Sequence, residues 1–127
     1  TSYYAEEMGA PLDKQLICFA KRIDPCQLPH IKLQTMELER ELGKENAGRI
    51  HRRANIDPGL LSIESLVLAT SKHSGHRICI APSLYAETTL LYQKNRYRPQ
   101  PWTYVDYQSD LVQDFLLEMR TWLMATR

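Results

Sequence analysis

The chain has 127 residues, 43% of them hydrophobic and 24% charged, a balance that argues against a disordered chain and suffices for one domain with an apolar core and no covalent staples. Its 16 basic and 15 acidic residues leave a formal charge of +1, which excludes an overall nucleic-acid footprint and leaves only local basic patches for such a partner. No apolar run approaches the ~20 residues of a membrane span, and no signal-peptide pattern is visible, so no membrane partner is expected.

Residues 1–12 read as polar and irregular, broken by Gly9 and Pro11. The chain opens Thr1-Ser-Tyr-Tyr4 without Met, the form expected of a piece whose first elements lie upstream. Residues 15–21, Gln15-Leu-Ile-Cys-Phe-Ala-Lys21, predict a strand buried on at least one face. Asp24-Pro25 is a helix-start signal, and Pro29 moves the main start to about its own position. Leu28, Ile31, Thr35, Leu38 and Leu42 then fall on one helical face, with Gly43 as the stop. A polar loop is expected at 44–48, followed by a weaker strand at 49–56 in which Ile50, Ala54 and Ile56 alternate. Ser62 is expected to cap a short helix through Ser71, with Ile63, Leu66, Val67 and Thr70 on one face.

Residues 77–81 and 84–92 read as strands, and Lys94-Asn95 as the turn of a hairpin into 96–98, ended by Pro99 and Pro101. Ser109-Asp110 caps a C-terminal amphipathic helix with Leu111, Phe115, Met119, Trp122 and Leu123 inward. Strands interspersed with helices and joined by a hairpin predict an α+β domain, helices packed on an antiparallel sheet. Cys18, Cys26 and Cys79 are odd in number and lack C-x-x-C spacing. Cys18 and Cys79 stand in apolar runs and read as small buried hydrophobes of a reducing, cytoplasmic compartment.

Four stretches carry candidate chemistry. In Asn55-Ile-Asp57-Pro58-Gly59, Pro fixes φ, Gly permits positive φ and Asp bonds its own backbone, which is ordinary turn chemistry. Functionally, Asn55 and Asp57, two residues apart on an extended strand end, project to one face as ligands for ribose hydroxyls or a cation. Thr70-x-Lys72-His73-x-x-His76-Arg77 concentrates cations that neutralise a phosphate or carboxylate. Its plain reading is a solvated helix C-terminus. The two histidines, three residues apart, could hold a metal on a helix, but Gly75 argues against a helix there and no Cys or carboxylate lies at a familiar zinc spacing. On a strand, Tyr85, Glu87 and Thr89 share a face. Glu87 is a candidate acid or base if buried beside Arg77, and a solvated carboxylate otherwise. Residues 101–107, with Trp102 and Tyr104, either cover the core or wall a base or sugar ring.

No P-loop, G-x-S-x-G, H-E-x-x-H or G-x-G-x-x-G occurs. Arg49, His51, Arg52 and Arg53 form the one basic run, a weak nucleic-acid signal. The sequence names no cofactor.

Taken together, Tyr3-Tyr-Ala-Glu-Glu-Met-Gly9, Ile31-Lys-Leu-Gln-Thr35, Asn55-Ile-Asp-Pro-Gly59, Leu66-Val-Leu-Ala-Thr-Ser-Lys72, His76-Arg77, Leu84-Tyr-Ala-Glu87 and Pro101-Trp-Thr-Tyr104 resemble domain-of-unknown-function family 4416, a family of uncharacterised prokaryotic proteins. The family's usual pattern has Asn after the helix threonine, where this chain has Met36. The resemblance implies a preceding strand–helix–strand and, with it, a βαββαβ order similar to a ferredoxin-like sandwich with an added helix and hairpin. It implies no activity. Some relatives carry a GTP-binding label, which the missing P-loop leaves without support here.

The expected function is the binding of a small phosphorylated or nucleotide-like ligand. Lys72, His76 and Arg77 hold the anion, Asn55 and Asp57 take hydroxyls or a divalent cation, and Glu87 with His76 supplies acid–base chemistry. The alternative is a non-catalytic module that engages protein or nucleic acid through a sheet edge or the basic run.

Overall fold

A computed structural model describes residues 14–46, 49–51 and 54–127, with side chains described outside 44–53. The N-terminal stretch 1–12 and the side chains of Arg49, His51, Arg52 and Arg53 lie outside the described set.

Helix α1 (Leu28–Leu42) is entered through the 3-10 turn Pro25–Gln27, where Asp24 accepts the Cys26 N–H at 2.9 Å. The Asp-Pro start and the Gly43 stop stand where the sequence puts them. The inward stripe does not. Leu28, Lys32 and Glu39 are buried, whereas Leu38 and Leu42, expected inside, are 43% and 46% exposed. The cause is a backbone demand. Ile56 lies outside any strand, and its N–H reaches Glu39 Oε2 at 2.7 Å while its carbonyl accepts from Lys32 Nζ at 3.4 Å. Buried peptide groups need such partners, so a polar stripe outcompetes the leucines.

Strands β1 (Lys44–Asn46) and β2 (Arg49–His51) form a small antiparallel hairpin where a loop and a longer strand were expected. The main sheet contains β3 (Gly59–Leu61), β4 (Ser65–Thr70), β5 (Ile78–Ala81), β6 (Leu84–Gln93) and β7 (Arg96–Pro99). Its spine is β6. β4 runs along one edge with β3 outside it, and β5 and β7 share the other edge at opposite ends. All these pairings are antiparallel, so the fold class is α+β.

Residues 62–71 are therefore a hairpin turn and a strand, not a helix. Leu66 and Ala69 are both buried, but three residues apart on a strand means opposite faces. Burial on two faces imitates a helical stripe. The Ser62 hydroxyl does cap backbone N–H groups, those of Glu64 and Ser65 at 3.2 and 3.1 Å; it closes the β3–β4 turn.

Residues 15–21 are irregular, and Ile17 and Phe19 are 67% and 82% exposed. The ferredoxin-like order drew a strand from this stretch. Cys18, Cys26 and Cys79 are all exposed free thiols, contrary to the buried reading of Cys18 and Cys79: Cys18 has no strand to bury it, and Cys79 is on the outer strand β5.

Helix α2 (Asp110–Ala125) starts at Ser109, whose hydroxyl accepts the Val112 N–H at 3.2 Å. Leu66, Leu90, Tyr97 and Leu116 form the core between α2 and the sheet, with Val112 and Phe115 packed on it. Leu111, expected inward, is 83% exposed, because buried Gln113 sets the rotation of the helix by bonding the Tyr97 backbone. Burial pushes the Tyr97 phenol up to about 12, so it stays protonated and donates to the Ser62 carbonyl at 2.7 Å. Among the described residues no helix is long and apolar enough to cross a membrane.

Candidate functional site

The loop of residues 71–77 joins β4 to β5, so its cations stand at a strand end and not at a helix C-terminus. Local bonds shape it: Lys72 N–H donates to Thr70 Oγ1 at 3.2 Å, and Arg77 N–H to the Ser74 carbonyl at 3.0 Å. Arg77 then turns inward. Its Nη1 donates to the Lys72 carbonyl at 2.9 Å and its Nε to Glu87 Oε1 at 3.0 Å. His76 Nε2 lies 2.6 Å from the same Oε1, and Thr89 Oγ1 donates to Oε2 at 3.1 Å. The other imidazole nitrogen, Nδ1, is 3.2 Å from Ser74 Oγ.

Glu87 stands at an interruption of the sheet. On one edge of β6, β5 pairs with residues 84–86 and β7 with residues 90–93, leaving 87–89 unpaired by a strand. On the other edge the register passes from Leu66↔Leu90 to Val67↔Thr88 and skips Thr89, a bulge of the kind that re-aims side chains. The segment after β7 fills the gap. Trp102 Nε1 donates to the Thr88 carbonyl at 2.9 Å, and the buried Thr103 hydroxyl to the Thr89 carbonyl at 2.5 Å. The Trp102 ring stacks on His76, centroids 4.4 Å apart at 13°. His73 meets Tyr85 edge-on at 5.1 Å.

The side chains of Glu87, Arg77 and His76 are 7%, 13% and 20% exposed. Burial alone would raise the Glu87 carboxyl, but hydrogen bonds from His76, Arg77 and Thr89 and the charge of Arg77 outweigh it and hold it below the ordinary glutamate value. Glu87 is thus an anion at neutral pH, held by three side-chain donors.

The structure brings Glu87, His76, Arg77 and Trp102 into contact. Thr70 and Lys72 join through the loop backbone, and the Lys72 side chain is exposed. Tyr104 is 64% exposed, beyond Thr103. Asn55 and Asp57 are not in the cluster. Asn55 Nδ2 donates to Asp57 Oδ2 at 3.3 Å, and the neighbouring Pro58 carbonyl accepts from Ala69 N on β4. They lie about two strand spacings, roughly 10 Å, across the sheet from β6. Ser74 and Thr89 had no assigned role in the sequence reading, although their two-residue spacing from His76 and Glu87 was visible. Among the described residues no three His, Cys, Asp or Glu side chains are grouped to hold a metal ion.

No curated protein matches the chain, and no solved structure matches it either. A protein-family model described as a domain of unknown function, DUF4416, matches residues 1–122. The chain belongs to the DUF4416 family.

Proposed function

We propose that this is a cytoplasmic domain that binds a small phosphorylated or nucleotide-like ligand over the loop of residues 71–77. The observation that carries the reading is the double use of Glu87: one buried carboxylate oxygen accepts from both His76 and Arg77 and immobilises a loop that holds Lys72 and His73 out to solvent. A loop ordered before binding loses little entropy when the ligand arrives. Lys72 supplies point charge to an anion. The His76–Trp102 and His73–Tyr85 ring pairs offer apolar walls for a base or sugar. In this reading Glu87 orients His76, and His76 exchanges the proton. Asn55 and Asp57 reach the far end of an extended ligand. Three free thiols fit a reducing compartment.

The test is thermal unfolding with AMP, GMP or inorganic phosphate, on the wild type and Lys72→Ala. Ligand at a hundred times its Kd adds about 2.7 kcal/mol of stability, and Lys72→Ala removes that gain without lowering the unliganded Tm. No shift with any of the three, together with RNA or a partner protein co-purifying, replaces this reading with the interaction module. The exposed edge at Ile78, 69% accessible on β5, favours that second reading.

A further inference from the structure

Ser74, His76 and Glu87 form a continuous hydrogen-bonded row: Ser74 Oγ to His76 Nδ1 at 3.2 Å, then His76 Nε2 to Glu87 Oε1 at 2.6 Å. A carboxylate held as an anion accepts only, so the hydrogen between Nε2 and Oε1 belongs to the imidazole. With that proton on Nε2, a neutral His76 presents its Nδ1 lone pair to the Ser74 hydroxyl. This is the relation of nucleophile, base and orienting group that acyl-transfer sites share across unrelated folds, with the two ring nitrogens exchanged. The imidazole cannot swing freely, since Trp102 stacks on its face and Glu87 is itself fixed by Arg77 and Thr89. Ser74 is half-buried, in the loop that carries the exposed Lys72.

We infer that Ser74 is a nucleophile that takes an acyl group from a small activated ester with an anionic leaving group, with His76 as its base and Glu87 positioning His76. This rests on the same loop as the proposed binding site and adds a reaction to it. In the first step the Oγ–H proton passes to Nδ1, the Oγ–acyl bond forms and the acyl–leaving-group bond breaks. The leaving group departs, and the proton on Nδ1 passes to it or to water, which frees the Nδ1 lone pair for the second step. Water then attacks the acyl-serine, giving its proton to Nδ1, and the released Ser74 oxygen recovers a proton, leaving the free acid.

The experiment mixes the whole chain with p-nitrophenyl acetate and follows the nitrophenolate burst, mapping the acetyl group by peptide mass. The expected result is acetyl on Ser74, no Ser74 acetylation or associated burst in Ser74→Ala, and an acylation rate at least about a hundredfold slower in His76→Gln. Glu87→Gln lowers the acylation rate constant while leaving the half-saturating ester concentration unchanged, a split that a merely structural role does not produce. Circular dichroism checks that each variant is folded. Acetyl found only on Lys72 or on the exposed thiols Cys18, Cys26 and Cys79, a burst undiminished in Ser74→Ala, or no burst at all overturns the proposal. Stabilisation by AMP is measured on Ser74→Ala in parallel. If it persists while the wild type gives no acetyl-serine, the acyl reaction fails and the binding reading stands.

Discussion

Gln113 on α2 closes on the backbone of Tyr97 from both sides: Tyr97 N–H donates to Gln113 Oε1 at 2.7 Å, and Gln113 Nε2 donates to the Tyr97 carbonyl at 2.9 Å. Among the described residues β7 pairs only with β6, so Tyr97 would otherwise bury an unpaired peptide donor and acceptor against α2. The side-chain amide imitates a neighbouring strand, and it explains a polar residue 5% exposed in the helix interface.

Gln113→Leu should accordingly cost about 2–4 kcal/mol, since two buried peptide groups lose their partners at once. Gln113→Glu should cost at least as much at neutral pH, because a carboxylate still accepts from Tyr97 N–H but is buried as an anion with its second oxygen against the Tyr97 carbonyl. Urea unfolding measures both. Equal midpoints for Gln113→Leu and the wild type would mean that the amide contributes packing alone.

The β6–β7 turn makes a smaller and opposite prediction. Lys94 and Asn95 both have positive φ, 51° and 66°, the pattern of a type I′ turn. Asn tolerates that region and Lys does so at a cost. Lys94→Asn should raise stability by about 0.5 kcal/mol, and Lys94→Val should lower it by more. The check is a change in denaturant midpoint at constant slope.

What was legible in the sequence tracks how local its cause is. The Lys94-Asn95 hairpin, the Ser109 cap and the Asp24-Pro25 entry all depend on groups within about three residues, and all stand where expected. The inward face of α1 depends on Ile56, 17 residues from Glu39 and 24 from Lys32, and no helical periodicity encodes that. β4 was misread because both its faces are covered, which erases the two-residue alternation. Within the site, the pairing of Glu87 with Arg77 could be named beforehand because charge complementarity is visible in composition. The remoteness of Asp57 could not, because it follows from β4 standing between β3 and β6.

Gly59 illustrates a residue whose reason changed between sequence and structure. The Asp-Pro-Gly motif suggested a glycine chosen for positive φ. Gly59 instead has its Cα at β4, where an added Cβ would lie 2.6 Å from the Val67 carbonyl oxygen and 2.6 Å from Leu68 Cδ2. Leu68 can move, but the carbonyl belongs to a strand paired on both sides. Gly59→Ala should therefore force β3 away from β4 and cost about 1–3 kcal/mol. Faster hydrogen exchange of the Ala69 amide, which donates to the neighbouring Pro58 carbonyl, would locate the damage. Gly75 is the internal control: nothing lies within 4 Å of its Cβ position, so Gly75→Ala should change stability by less than about 0.5 kcal/mol.

Removing the charge at Glu87 gives the sharpest test, since its effect carries a sign in pH. Glu87→Gln leaves Arg77 buried without its counter-ion and should destabilise by about 3 kcal/mol at neutral pH. The folded carboxyl sits below the ordinary value of 4.5, so the unfolded chain takes up its proton first on acidification. The stabilisation from Glu87 is then complete above about pH 4.5 and is lost as pH falls through the folded value. The stability gap between wild type and Glu87→Gln should hold steady down to about pH 5 and narrow below about pH 4. Chemical denaturation at each pH reads the gap directly. A gap that widens in acid would mean that Glu87 is protonated in the folded protein, and the anionic clamp on His76 and Arg77 would be the wrong description of this site.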